Sequence, residues 1–409
     1  GRYVVDTEDG VAAVCELRQL IAALHDAGIA VIMDVVYNHT SDTGDKSLYD
    51  STVPKYFYRF NADGSYSSGS GCGNEIDSEA PMAKKYIIDS LKHWMLDYHF
   101  NGFRFDLMGC LSKETMADIY TALYDIDPKV MVYGEPWTGG DAQVQDGATQ
   151  AVATSTGLGV GAFDDDFRDA IKGAEFGGFQ RGQVQDANKD AEIIKGLLGQ
   201  VGANKRNETG TLGLALHYIE CHDNYTLFDK LAISKWQDLN NKTTTTTGNL
   251  FTKIGEEGLV AVKAQDKLAA AYVFLSQGTT FMNGGQEFLR TKKGNENSYN
   301  TAIATNGIDL SFATTYADVY NVYKGLIALR KSAPEAFGAN SNASASKVST
   351  GVTKYTTGDY LVYFNASDAA VNVSSSGYTK EVDVTSGTPT ENAISTTSLA
   401  AKSFVIFKK

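Results

Sequence analysis

The chain has no lysine- or arginine-rich run, and its 36 basic residues are outnumbered by 49 acidic ones, for a net charge of −13. That balance excludes nucleic acid as a partner and suits a neutral substrate, which needs no electrostatic steering. Long apolar runs are lacking too, and none approaches the ~20 residues that span a bilayer. Cysteine is scarce: Cys15, Cys72, Cys110 and Cys221 are scattered, without the C-x-x-C spacing of a zinc site. No G-x-G-x-x-G follows a strand-like run, so the usual phosphate loop of a doubly wound sheet is missing. What is present is a chain of 409 residues, 43% hydrophobic and 21% charged, ample for a large core and more than one domain.

Apolar spacing alternates between two periods. Val14, Leu17, Ile21 and Leu24 recur at helical spacing, Gly28 stops them, and residues 29–37 follow as a nearly continuous apolar run broken by Asp34. A run apolar on both faces reads as a buried parallel strand. The unit repeats: Ile87, Leu91, Trp94 and Tyr98 make a helix before a strand at 103–108, and Met116, Ile119, Tyr120 and Leu123 make one before a strand at 130–133. Further strands are expected at 161–163, 212–219 and 279–283, and helices at 261–275 and around Val319, Val322, Leu326 and Leu329. Residues 237–258, with five consecutive threonines at 243–247, read as a long exposed insertion. Strand alternating with helix predicts an α/β fold, a β/α barrel over residues 1–334. After Pro334, serine, threonine, asparagine and valine dominate, and β-prone runs at 360–364, 371–373, 381–384 and 404–407 predict an antiparallel β-sandwich over 335–409.

Residues 102–109 read Gly-Phe-Arg-Phe-Asp-Leu-Met-Gly. In a strand, Phe103 and Phe105 share one face, and Arg104 and Asp106 the other. An arginine beside an aspartate keeps the carboxylate ionised, and an ionised carboxylate at a strand end is a candidate nucleophile. The alternative is a purely structural ion pair.

Other strand ends carry the same chemistry. Asp34 to His39 follows the first, Glu135 and Trp137 follow the third, and Glu220, His222, Asp223 and Asn224 follow the run at 212–219. Asp106, Glu135 and Asp223 are the acids expected to act. Glycoside hydrolysis needs one carboxylate to attack and one carboxylic acid to protonate the leaving oxygen, about 5–5.5 Å apart in the retaining route. A third carboxylate would stabilise positive charge on the sugar. His39 and His222 can donate to sugar hydroxyls, and Trp137 offers a flat face for a ring. Asp34 and Glu220 read instead as buried structural acids. Acids, asparagine and histidine at loop ends can also hold calcium, here near Asn38.

These four short regions, at 34–39, 102–106, 134–135 and 222–223, resemble those of glycoside hydrolase family 13, the α-amylase superfamily. Within it the match looks closest to type I pullulanases, through Asp-Val-Val-Tyr-Asn-His-Thr at 34–40, Phe-Arg-Phe-Asp-Leu-Met-Gly at 103–109, Gly-Glu-Pro-Trp-Thr at 134–138 and Gly-Gln-Glu-Phe-Leu-Arg at 285–290. The resemblance implies Asp106 as nucleophile, Glu135 as general acid/base and Asp223 as transition-state stabiliser. It implies substrate contacts from His39, Arg104, Trp137, His222, Asn224 and Tyr299. It implies a retaining α-1,6-glucosidase acting on a branched α-glucan. A monomer without cofactor is expected. A large polymeric substrate and a Ser/Thr/Asn-rich, acidic chain point to secretion or display at a bacterial cell surface, with a cytoplasmic role in glycogen debranching as the alternative. The alternatives are an α-1,4-acting member of the family and a non-catalytic glucan-binding homologue. The Tyr-Asn-Trp-Gly-Tyr-Asp-Pro motif of the debranching branch is absent. The expectation is therefore that the chain is truncated and starts near the second barrel strand.

Overall fold

The structure is a computed structural model that describes residues 4–149, 159–176, 178–199, 212–340 and 342–409. The chain divides into two compact units, Gly1–Phe163 and Asp164–Lys409.

In the first unit, four parallel strands run side by side in chain order: β1 (Ile32–Val35), β2 (Gly102–Phe105), β3 (Met131–Gly134) and β4 (Gly161–Phe163). Helices Gly10–Asp26, Pro81–Tyr98 and Lys113–Tyr124 alternate with them, as the apolar spacing predicts. Local chemistry sets their ends. Asp9 caps the first by accepting from the amides of Val11 and Ala12, Gly28 reverses the chain at φ 74°, and Ser112 caps the third. Ile21, Ile87, Leu91, Phe103, Phe105, Met116, Ile119 and Val132 fill the core between helices and sheet.

The strand expected at 29–37 shrinks to four residues. Ile29 and Val36 are exposed, as is Asp34, which is not the buried acid expected. The cause is position: among the described residues β1 pairs within this unit only with β2, and it stands at the edge of the four strands.

The second unit carries a parallel pair, β5 (Ala215–His217) and β6 (Thr279–Thr280). Both are shorter than expected; residues Leu212–Leu214 form a 3-10 turn instead. The region at 237–258 is largely exposed, as expected, but both its ends are helical. It begins as the last turn of the helix Leu227–Asn240 and ends inside the helix Leu250–Leu275, where Leu250, Ile254 and Gly258 are buried. Only the threonine-rich link between the helices is irregular, and Gly255 (φ 65°) kinks the second one. Helix Ala317–Ser332 packs Val319, Val322, Leu326 and Leu329 inward.

From Ser344 onward the chain is antiparallel. One sheet has the order β12 (Thr390–Ala393), β11 (Lys380–Asp383), β14 (Ser403–Lys408), β9 (Tyr360–Asn365), β8 (Val352–Thr357), β7 (Ser344–Ser349). One face presents Tyr355, Val362, Phe364 and Ile406 to the helices of this unit. The other presents Leu361, Tyr363, Val405 and Phe407 to Leu399 and Val371 of a small second layer, β10 (Val371–Asn372) with β13 (Ser398–Leu399). The expected α/β architecture, parallel strands alternating with helices followed by a C-terminal β-sandwich, is thus present among the described residues.

Candidate active site

In the first unit the site is built at the C-terminal ends of β1, β2 and β3. The parallel ladder continues one residue beyond the strands: the Asp106 amide donates to Val35 O at 3.0 Å and the Glu135 amide to Phe105 O at 3.0 Å. Both acids therefore leave the sheet at fixed points. Phe103 and Phe105 are wholly buried on the core face, as the alternation predicts, and Arg104 points the other way, 6% exposed.

Arg104 does more than pair with Asp106. Its Nη1 lies 2.8 Å from Asp34 Oδ1 and 3.3 Å from Asp106 Oδ1, and its Nη2 lies 2.5 Å from Glu135 Oε1. Burial works against its charge. The surrounding carboxylates, Glu135 first and then Asp34 and Asp106, outweigh burial and raise the guanidinium above its ordinary value. One planar cation is thus shared by three acids from three strand ends, a geometry that suits the arginine fork.

Two contacts not foreseen from the sequence complete the cluster. The Asn38 side-chain nitrogen donates to Asp106 Oδ2 at 2.9 Å and to Asp106 O at 2.8 Å. Its oxygen stands 2.6 Å from His39 Nδ1, so the imidazole donates there. His39 therefore reaches Asp106 through Asn38. The second contact is a main-chain one: the Leu107 amide donates to Glu135 Oε2 at 2.9 Å. Leu107 is in the left-handed region, φ 38° and ψ 54°, so the chain turns sharply right after this amide. The signal for Asn38 was its place between Tyr37 and His39 at a strand end; nothing in the residue type of Leu107 announces its role.

Trp137 is half-buried, and its carbonyl accepts from the Gly109 amide at 3.1 Å. A β-carbon on Gly109 would stand 2.5 Å from that oxygen, which explains glycine at this position.

In the second unit His222 and Asp223 are adjacent and exposed, with His222 Nε2 3.4 Å from Asp223 Oδ2. Asp223 first, then Cys221 at 3.5 Å from Nδ1, raise the imidazole to about 10, so it is a cation at neutral pH. Asn224 adopts φ 60°. Tyr299 is 80% exposed. Glu220 is buried as expected, 1% exposed, and burial raises its carboxyl to about 7.

No protein-family model matches the chain. Sequence relatives do. A curated pullulanase of Bacillus subtilis is 32% identical over 339 residues, covering 82% of this chain and 44% of that protein. Among solved structures, the pullulanase from Bacillus acidopullulyticus superposes with a TM-score of 0.86 at 34% identity, over 100% of this chain and 50% of that one. The chain belongs to the pullulanase family. The pullulanase from Paenibacillus barengoltzii, solved in complex with maltohexaose and α-cyclodextrin, has a TM-score of 0.83 at 31% identity, over 99% of this chain and 62% of that one. The chain spans about half the length of the curated pullulanase of Bacillus subtilis, 44%. No helix among the described residues is long and apolar enough to cross a membrane.

Proposed function

We propose that the protein is a retaining glycoside hydrolase that cleaves α-1,6-glucosidic linkages in a branched α-glucan such as pullulan or limit dextrin. Asp106 attacks the anomeric carbon, Glu135 protonates the leaving oxygen and later activates water, and Asp223 stabilises the oxocarbenium-like transition state. The carrying observation is the Arg104 bridge, which holds Asp106 and Glu135 to one cation at neighbouring strand ends. A nucleophile and an acid need that fixed separation. The bound maltohexaose of the Paenibacillus barengoltzii relative supports an α-glucan substrate.

In this reading Asn38 holds one Asp106 oxygen, and the other faces Arg104. The His222 cation donates to a sugar hydroxyl in the same reading.

The test is product analysis after incubating the full chain with pullulan. Maltotriose is expected. Panose would instead mark α-1,4 cleavage, and no product would overturn the hydrolase reading.

A further inference from the structure

Behind the exposed His222 and Asp223 lies a buried acid with no place in the chemistry proposed so far. Glu220 precedes His222 by two residues. Its Oε2 accepts from the Leu227 amide at 2.7 Å, the first residue of the helix Leu227–Asn240. Its Oε1 accepts from the Asn283 side chain at 2.8 Å, and that amide also donates to Cys221 O at 3.2 Å. A single carboxylate therefore closes residues 221–226 into a ring, tying the start of the segment to its end and to the chain beyond β6.

Helix capping alone does not require this residue. Thr226 already caps the helix, accepting from the Asp229 amide at 3.1 Å. A buried carboxyl is costly unless every oxygen is used, and here both are. We propose that Glu220 is a positioning residue for His222 and Asp223, its two-pronged carboxylate fixing the 221–226 segment in the geometry that the hydrolytic step needs. This rests on the hydrolase reading given above.

The ionised form serves both donors, whereas the protonated form turns one oxygen into a donor. Burial sets that exchange near neutrality, opposed by Leu227 and Asn283 and then by the charges of Lys172 and Arg290. Asp266 and Tyr323, on the two long helices, and Lys292 also face Glu220. Lys292 is itself buried and donates to His222 O at 3.1 Å, so it supports the same segment from a second direction.

The experiment compares wild type with Glu220→Gln and Asn283→Ala in the full chain. It follows kcat and KM on pullulan from about pH 5 to about pH 9, and amide hydrogen exchange across 221–227. A glutamine accepts from only one of the two donors. The expected result at the alkaline end is a kcat lower by about tenfold or more with KM little changed, the scale of a small misplacement of reacting groups. The wild-type advantage should shrink below about pH 7, where the native carboxyl also loses an acceptor. Exchange at 221–227 should be faster in both variants. A folded Glu220→Gln variant with unchanged kcat, or a lower kcat without faster exchange, would overturn the proposal. A wild type inactive on pullulan but showing the exchange difference would defeat the hydrolase reading and leave the clamp standing.

Discussion

Arg104 lies closer to Glu135, at 2.5 Å, than to Asp106, at 3.3 Å. Glu135, the proposed acid/base, therefore shares its countercharge with Asp106, the proposed nucleophile, and with Asp34 at 2.8 Å as well. A cation between two carboxylates lets both approach without mutual repulsion, which a nucleophile and an acid at close range require.

Asp106→Asn removes the nucleophilic charge but keeps the shape and the bond to Asn38. Turnover on pullulan should fall by about 10³-fold or more while the fold is retained. Steady-state kinetics and circular dichroism of the purified variant decide it; appreciable residual turnover would remove Asp106 from its assigned role.

Arg104→Met leaves Glu135, 9% exposed, and Asp106, 24% exposed, without their shared cation. Taking one partner from a buried ionic cluster costs about 3 kcal/mol. A lowered urea midpoint together with lost turnover is expected. Arg104→Lys should recover little of the turnover, because an ammonium cannot span three acceptors in one plane. Full recovery by lysine would show that only the charge matters.

Glu220 makes stability depend on pH in the direction opposite to a salt-bridged acid. Its folded value of about 7 exceeds the ordinary 4.5, so the folded state binds the proton more tightly than the unfolded chain. Its contribution is fully present below 4.5 and is lost as pH rises through about 7, an effect on the order of 3 kcal/mol. Glu220→Gln should be flatter across that window. Urea melts of both proteins at about pH 5 and about pH 8 measure the difference, and parallel curves would contradict it.

Gly109→Ala puts a methyl group 2.5 Å from the Trp137 carbonyl oxygen. The backbone carrying Trp137 must give way, at a cost of about 1–3 kcal/mol. A rise in KM on pullulan with a lowered melting temperature is expected. An unchanged KM would dissociate Trp137 from substrate binding.

Much of the site was legible because chemistry-bearing residues follow apolar runs of recognisable period. Arg104, Asp106, Glu135, His222 and Asp223 sit where strand ends were expected. Beyond the Arg104–Asp106 pair, side-chain partnerships were not legible. The reach of Arg104 to Asp34 and Glu135 depends on three strands in register, and the Asn38 bridge on a hydrogen bond to the neighbouring strand's end. Asp34 was misjudged because flanking apolar residues suggested burial, whereas exposure follows from being at an edge. Strands Ser344–Ser349 and Thr390–Ala393 escaped notice for a related reason. They are polar, largely exposed outer strands, shaped by pairing with Val352–Thr357 and Lys380–Asp383 more than by their own propensity. The helical start of 250–258 was hidden by the threonine run before it and by Gly255.

The left-handed turn at Leu107 sends the chain back on itself immediately after Asp106, and its amide lands on Glu135. Asp106 is itself anchored by its amide to Val35, and Glu135 by its amide to Phe105. The spacing between the two acids, the quantity that separates retention from inversion of the sugar's configuration, is thus written in main-chain hydrogen bonds. Under the proposed mechanism, substitutions that spare these main-chain bonds leave the stereochemical outcome unchanged.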